Sequence, residues 1–219
     1  MKKAKDTYKT IDTLYTGEYK DKGSRFIAYV FPMDSEEAFQ NKLQSIQEEH
    51  HKARHFCTAF RLGPIHPLER HNDDGEPSGS AGRPILGQLH SFDIMRVGAV
   101  VVRYFGGTKL GVSGLIEAYR ESTAAALDKA RIKPKKVLTY FRVQCPYAVM
   151  PIFMEALKYA KVDILEKNFE QLPSFQLAIP QSQTEEFWDT ISTHFVGHSA
   201  DKEDLITDHD FSIKSEKTH

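Results

Sequence analysis

The segment Val97-Gly98-Ala99-Val100-Val101-Val102-Arg103-Tyr104-Phe105-Gly106-Gly107-Thr108-Lys109-Leu110-Gly111-Val112 changes character twice along its length. Its first eight residues are mostly apolar, the composition of a strand in the middle of a sheet. The glycine-rich run from Phe105 to Gly111 then turns the chain. From Val112 the apolar residues Leu115, Ile116, Tyr119, Ala126, Leu127 and Ala130 form one stripe and predict a long helix.

Upstream, His71-Asn72-Asp73-Asp74-Gly75-Glu76-Pro77-Ser78-Gly79-Ser80-Ala81-Gly82 is polar and full of turn formers, hence a loop. A short helix follows it, with Ile85, Leu86, Leu89 and Phe92 on one face and Pro84 in its first turn. His55–Leu62 reads as a strand, and 35–50 as an amphipathic helix carrying Phe39, Leu43 and Ile46. Asp34 with Glu37 has the spacing of a capping box. Ile11–Tyr19 and Ser24–Phe31 read as strands joined by Lys20-Asp21-Lys22-Gly23.

Downstream, Pro134-Lys135-Lys136 is basic, contains proline and follows the long helix, which marks a domain boundary. The expected domains are 1–133 and 135–219. In the second, strands at 137–145, 162–167, 175–179 and 205–213 alternate with helices at 148–160 and after Ser182. Ser182 and Glu185 have capping spacing; Phe187, Trp188, Ile191 and Phe195 form the apolar face, and Gly197 ends that helix. This βαββαβ order is the ferredoxin-like pattern, and the fold class is α+β.

Composition excludes several classes of protein. Hydrophobic residues make up 40% and charged residues 27% of the chain, a globular balance. The longest apolar run, Val97–Val102, is far too short to span a bilayer. The N-terminus leads into polar residues rather than a signal core. Two cysteines, Cys57 and Cys145, without CxxC spacing read as buried thiols in a reducing cytoplasm. Net charge is −1, but residues 1–133 hold 20 Lys/Arg against 17 Asp/Glu (+3), and residues 134–219 hold 9 against 13 (−4). So mild an asymmetry does not establish a nucleic-acid partner.

Chemistry concentrates around the glycines. Gly75, Gly79 and Gly82 precede one helix, and Gly106, Gly107 and Gly111 surround the start of the other. First-turn N–H groups carry a partial positive charge, so a glycine lead-in beside Arg83, Arg103 and Lys109 suits an anion. Tight turns and close packing explain the same glycines. Neither Walker A nor GxGxxG is present. Asp73, Asp74 and Glu76 are oxygen ligands of the kind Mg²⁺ or Ca²⁺ takes, but the EF-hand spacing is absent; pairing with Arg83 or Arg103, or capping of the helix that follows, accounts for the same acids. His51 and His55 lack the Glu of HExxH, and no GxSxG or Cys–His framework supplies a nucleophile. No catalytic residue, metal site or cofactor is assigned.

Glu69–Gly82, Val100–Val112 and His51–Arg61, with a weaker match at Lys22–Ala28, resemble the motifs of the IMPACT family in the family's own order. The form is that of its bacterial, YigZ-like branch, expected to be two-domain and without the eukaryotic N-terminal module. Ser113 stands where that pattern usually has Gly, and Glu121-Ser122 where small residues are common. The resemblance implies an N-terminal domain like the second domain of ribosomal protein S-five and the fourth domain of elongation factor G. It implies a ferredoxin-like C-terminal domain like the last domain of that factor. Eukaryotic members restrain a translational stress kinase by competing for its ribosome-associated activator; that pathway is not carried over to this chain.

The expected function is therefore a non-enzymatic, cytoplasmic, translation-associated regulator. Its partner is RNA, the ribosome or a translation factor, with no membrane involved. Arg83, Arg103, Tyr104, Gly106, Gly107, Thr108 and Lys109 are the candidate contacts, and Asp73, Asp74, Glu76 and Ser78 form an acidic loop beside them. The alternatives are a metal-assisted hydrolase using Asp73, Asp74 and Glu76, and a protein-interaction adaptor using the ferredoxin-like sheet.

Overall fold

A computed structural model describes residues 6–64, 67–196 and 212–216. They form two compact units, Thr7–Lys135 and a second that runs on from Lys136 and takes in Asp6.

The first unit is built on β6 (Val97–Tyr104), the apolar strand at the centre of a five-stranded antiparallel sheet. Around it stand β2 (Tyr15–Asp21), β3 (Ser24–Pro32), β4 (His55–Leu62) and β5 (Leu68–Asn72), in the order β2-β3-β6-β4-β5. Strand alternation divides the core in two. Ile27, Tyr29, Phe31, Phe60, Val100 and Val102 face α1 (Glu36–Glu49), which buries Phe39 and Ile46 among them. Phe26, Ala28, Val30, Cys57, Ala59, Ala99 and Val101 face α2 (Gly82–Ser91) and α3 (Gly111–Leu127). Burying one such large apolar side chain contributes about 1.5–3 kcal/mol.

Two glycines bring backbones together here. A Cβ at Gly17 would lie 2.3 Å from the Ala126 nitrogen and 2.4 Å from the Ser122 carbonyl oxygen, so β2 runs directly against α3. Ser122 is fully buried at that approach. A Cβ at Gly106 would lie 1.9 Å from the Gly23 carbonyl carbon in the β2–β3 turn.

The structure corrects four local readings. The single N-terminal strand is two, β1 (Thr7–Ile11) and β2. Pro134–Lys136, where no strand is expected, belongs to β7 (Ile132–Lys136), which pairs with β1, and the two units still part there, at Lys135. Ser35, not Asp34, caps α1: its Oγ accepts from the Ala38 N–H at 3.1 Å, while Asp34 pairs with Arg96. Part of the stretch read as loop is β5.

The second unit runs β8 (Leu138–Gln144), α4 (Met150–Tyr159), β9 (Asp163–Asn168), β10 (Ser174–Pro180), α5 (Thr184–Val196) and β11 (Ser212–Glu216). Its antiparallel sheet has the order β11-β8-β10-β9. Phe141, Val143, Phe153, Leu157, Phe175, Leu177, Ile179, Phe187 and Ile191 fill its core. Ser182 does not cap α5; its N–H and hydroxyl turn to the Asp6 carboxylate. Gly197 and residues 205–211 of the expected last strand lie outside the described residues, as does the Phe195 side chain.

Candidate functional site

The acidic loop folds back on the protein's own donors. Asp73 accepts from the N–H groups of Gly79 (2.8 Å), Ala81 (3.0 Å) and Gly82 (2.8 Å), so its carboxylate occupies the N-terminus of α2. The anion that this glycine lead-in suits is supplied from within the chain. Partial burial opposes the Asp73 charge, but the three N–H groups outweigh it and hold the pKa below the ordinary 3.8. A carboxylate lowered in the folded state adds stability that is present above its unfolded pKa and lost as pH falls through the folded one. Asp73→Ala is thus expected to cost about 2 kcal/mol near neutrality. Chemical unfolding at pH 7 and below pH 4 should show the gap to wild type closing on the acid side; a gap independent of pH would contradict this assignment.

Asp74, in the left-handed region at φ 43°, accepts from the Phe56 N–H at 2.6 Å. Its carbonyl oxygen accepts from His55 Nδ1 at 2.8 Å, so the neutral imidazole carries its proton there. Glu76 is buried, and its Oε1 receives Arg103 Nη1 at 2.6 Å and the Tyr119 hydroxyl at 2.8 Å. Cys57 Sγ lies 3.2 Å from that hydroxyl and 3.0 Å from the Asp73 carbonyl oxygen. Burial first, and then nearby negative charge, pushes the Cys57 thiol far above its usual range, which makes it unreactive. Ser78 is exposed on the same loop.

The three carboxylates point to separate donors and do not converge as the ligand set that the hydrolase alternative draws on. Among the described residues no three His, Cys, Asp or Glu side chains converge to hold a metal ion.

Arg103 is 7% exposed, and its guanidinium lies against two rings, 5.4 Å from the Phe26 centroid and 5.5 Å from that of Phe105. Its Nε is buried without an acceptor among the described residues. Arg103 is therefore chiefly an internal cation paired with Glu76 rather than a free surface charge. Tyr104 points to the opposite face of β6, where its hydroxyl lies 2.8 Å from His50 Nδ1. The other ring nitrogen of His50 lies 2.6 Å from the Tyr29 hydroxyl, so Tyr104 is fixed from behind.

Arg103, Tyr104 and Phe105 line a groove of about 480 Å³ together with Lys52, Arg54 and His55. Lys52, Arg54 and Phe105 are exposed, Phe105 by 59%. No acidic side chain lines the groove. Of the seven expected contacts, Arg103 and Tyr104 meet here. Arg83 stands exposed in the first turn of α2, outside the groove lining. Gly106, Gly107, Thr108 and Lys109 form the exposed turn before α3, beyond Phe105. Gly106 there serves packing and donates its N–H to Ser24 Oγ at 3.1 Å, and Gly107 takes φ 90° in open space.

Lys52, Arg54, His55 and Phe105 were not expected at the site. Two cations either side of Ala53, just ahead of a strand, were the available signal. The histidines of the same stretch, without the Glu of HExxH, read as surface or core side chains and did not point to the cations beside them.

A two-unit α+β chain with a cationic, aromatic groove on its first unit is the class of protein that these features define. The chain belongs to the IMPACT family. The sequence profile of the Impact N-terminal domain matches residues 22–127, which contain the groove. The IMPACT family member YvyE of Bacillus subtilis (strain 168) is 31% identical over 184 residues, 84% of this chain and 85% of that one. The member YigZ of Escherichia coli (strain K12) is 34% identical over 168 residues, 76% of this chain and 82% of its own. A crystal structure of a hypothetical protein superposes with TM-score 0.67 at 27% identity, covering 98% of this chain and all of the other. Among the described residues no helix is long and apolar enough to cross a membrane.

Proposed function

We propose that this protein is a non-enzymatic, cytoplasmic regulator associated with translation that binds RNA, most directly on the ribosome, through its N-terminal domain (residues 1–133). The observation that carries the reading is the groove: Lys52 and Arg54 open to solvent, Tyr104 and Phe105 beside them, and no carboxylate in the lining. Free cations next to aromatic rings are the chemistry that holds a nucleic-acid backbone and its bases. The translational setting comes from the family. The N-terminal unit as a domain like the second of ribosomal protein S-five, and residues 135–219 as a ferredoxin-like domain, fit that setting; the sheet order β11-β8-β10-β9 around two helices supports the second assignment.

Lys52→Ala combined with Arg54→Ala tests the reading. Both side chains are exposed, so the fold should be unaffected. Co-sedimentation with ribosomes or ribosomal RNA is expected to fall by about tenfold, as lost charge-assisted phosphate contacts of about 1.4 kcal/mol in total would give. Undiminished co-sedimentation of the double variant, or none by the wild type, would count against it.

A further inference from the structure

We infer that the groove receives an unpaired RNA nucleotide, its phosphate on Lys52 and Arg54 and its base stacked on Phe105. This rests on the RNA-binding reading above and names the form of RNA it requires.

Four rings and planes already stand together at this end of β6. Tyr119 meets Phe26 edge-on at 5.1 Å, and the Arg103 guanidinium lies 5.4 Å from the Phe26 centroid and 5.5 Å from that of Phe105. Glu76 locks Arg103, and Arg103 in turn holds Phe105 in place. A phenylalanine 59% exposed beside that paired cation is a platform a base can reach. Aromatic faces of this kind stack bases without regard to sequence.

The size of the site separates single-stranded from paired RNA. A groove of about 480 Å³ falls among pockets for small ligands, and bases reach aromatic platforms when they are splayed out of a helix. Duplex RNA keeps its bases stacked and presents its minor groove and phosphates over many base pairs. A compact groove ending in one exposed ring matches the first and leaves Phe105 without a role in the second. The cations suit the phosphate attached to that base. Tyr104, fixed through His50 and Tyr29, gives the groove a wall that does not need to be ordered by the ligand.

The test uses the full chain, a labelled single strand of about 12 nucleotides and a duplex of the same length, with fluorescence anisotropy as the readout. The single strand is expected to bind more tightly than the duplex. Phe105→Ala should weaken single-strand binding by roughly 5- to 100-fold and leave duplex binding unchanged. Phe105→Leu, which keeps an apolar cover over Arg103, should lose affinity like the alanine variant, whereas Phe105→Trp should retain it. A duplex bound as tightly as the single strand, or a leucine variant that binds like wild type, would overturn the unpaired-nucleotide inference while RNA binding stood. Failure of both RNAs to bind would overturn the RNA-binding reading, and this inference with it.

Discussion

Glu76→Ala is expected to destabilise the N-terminal unit by about 3–5 kcal/mol, the cost of leaving a buried cation unpaired. Arg103 is 7% exposed and its Nε already has no acceptor among the described residues, so removing Glu76 strips Nη1 as well. The Tyr119 hydroxyl loses its acceptor in the same step. Pairing the change with Arg103→Met removes the stranded charge and should recover most of the loss, since an apolar replacement of a buried pair is often neutral. Amide exchange of the β6 residues Ala99–Val102 reads this unit directly. The single tryptophan, Trp188, reports on the other one. A Glu76→Ala variant within about 1 kcal/mol of wild type would show that the pair is not the internal clamp described here.

Gly17→Ala should cost about 3 kcal/mol, at the top of the range for overpacking. The added methyl would lie 2.3 Å from the Ala126 nitrogen and 2.7 Å from the Ala125 carbonyl carbon, backbone atoms that cannot rotate away. Either β2 leaves the sheet edge or α3 shifts. Gly87→Ala is the control, because Gly87 sits within α2 with nothing near its Cβ position. That change is expected to stabilise by about 0.5–1 kcal/mol. Similar amide-exchange protection in the two variants would refute the close approach of β2 to α3.

The contrast between those glycines shows what the sequence carried. The passage from β6 into α3 was legible because an apolar strand and a helical stripe leave strong periodic signals. β5 and β7 leave none: Leu68-Glu69-Arg70-His71-Asn72 is a polar edge strand, and every residue of Ile132–Lys136 is exposed. Neither buries one face, so neither alternates. The division at Asp12–Leu14 separates two strands that pair with different partners, a tertiary choice that β-propensity does not encode.

The site was legible in the same uneven way. Arg103 and Tyr104 were candidates by residue type, yet strand alternation sends them to opposite faces, one to Glu76 and the other to His50. For the acidic loop, pairing with Arg103 and capping of the helix that follows stood among the readings, but which acid takes which partner is set by the fold. Asp73 reaches forward to Gly82, and Glu76 meets a strand 27 residues on. Lys52 and Arg54 become neighbours of Phe105 because β4 pairs with β6, placing His55 opposite Arg103. Spacing in one chain cannot show that adjacency.

The central claim is that exposed cations in this groove hold RNA phosphates, and the salt dependence of binding measures them most directly. Each phosphate contact with single-stranded RNA contributes about 0.7 to the slope of log K against log salt. Lys52→Ala with Arg54→Ala should therefore flatten the wild-type slope by about 1.4 as well as lowering affinity. An unchanged slope in the double variant would place the phosphate contacts elsewhere on the protein and contradict the account.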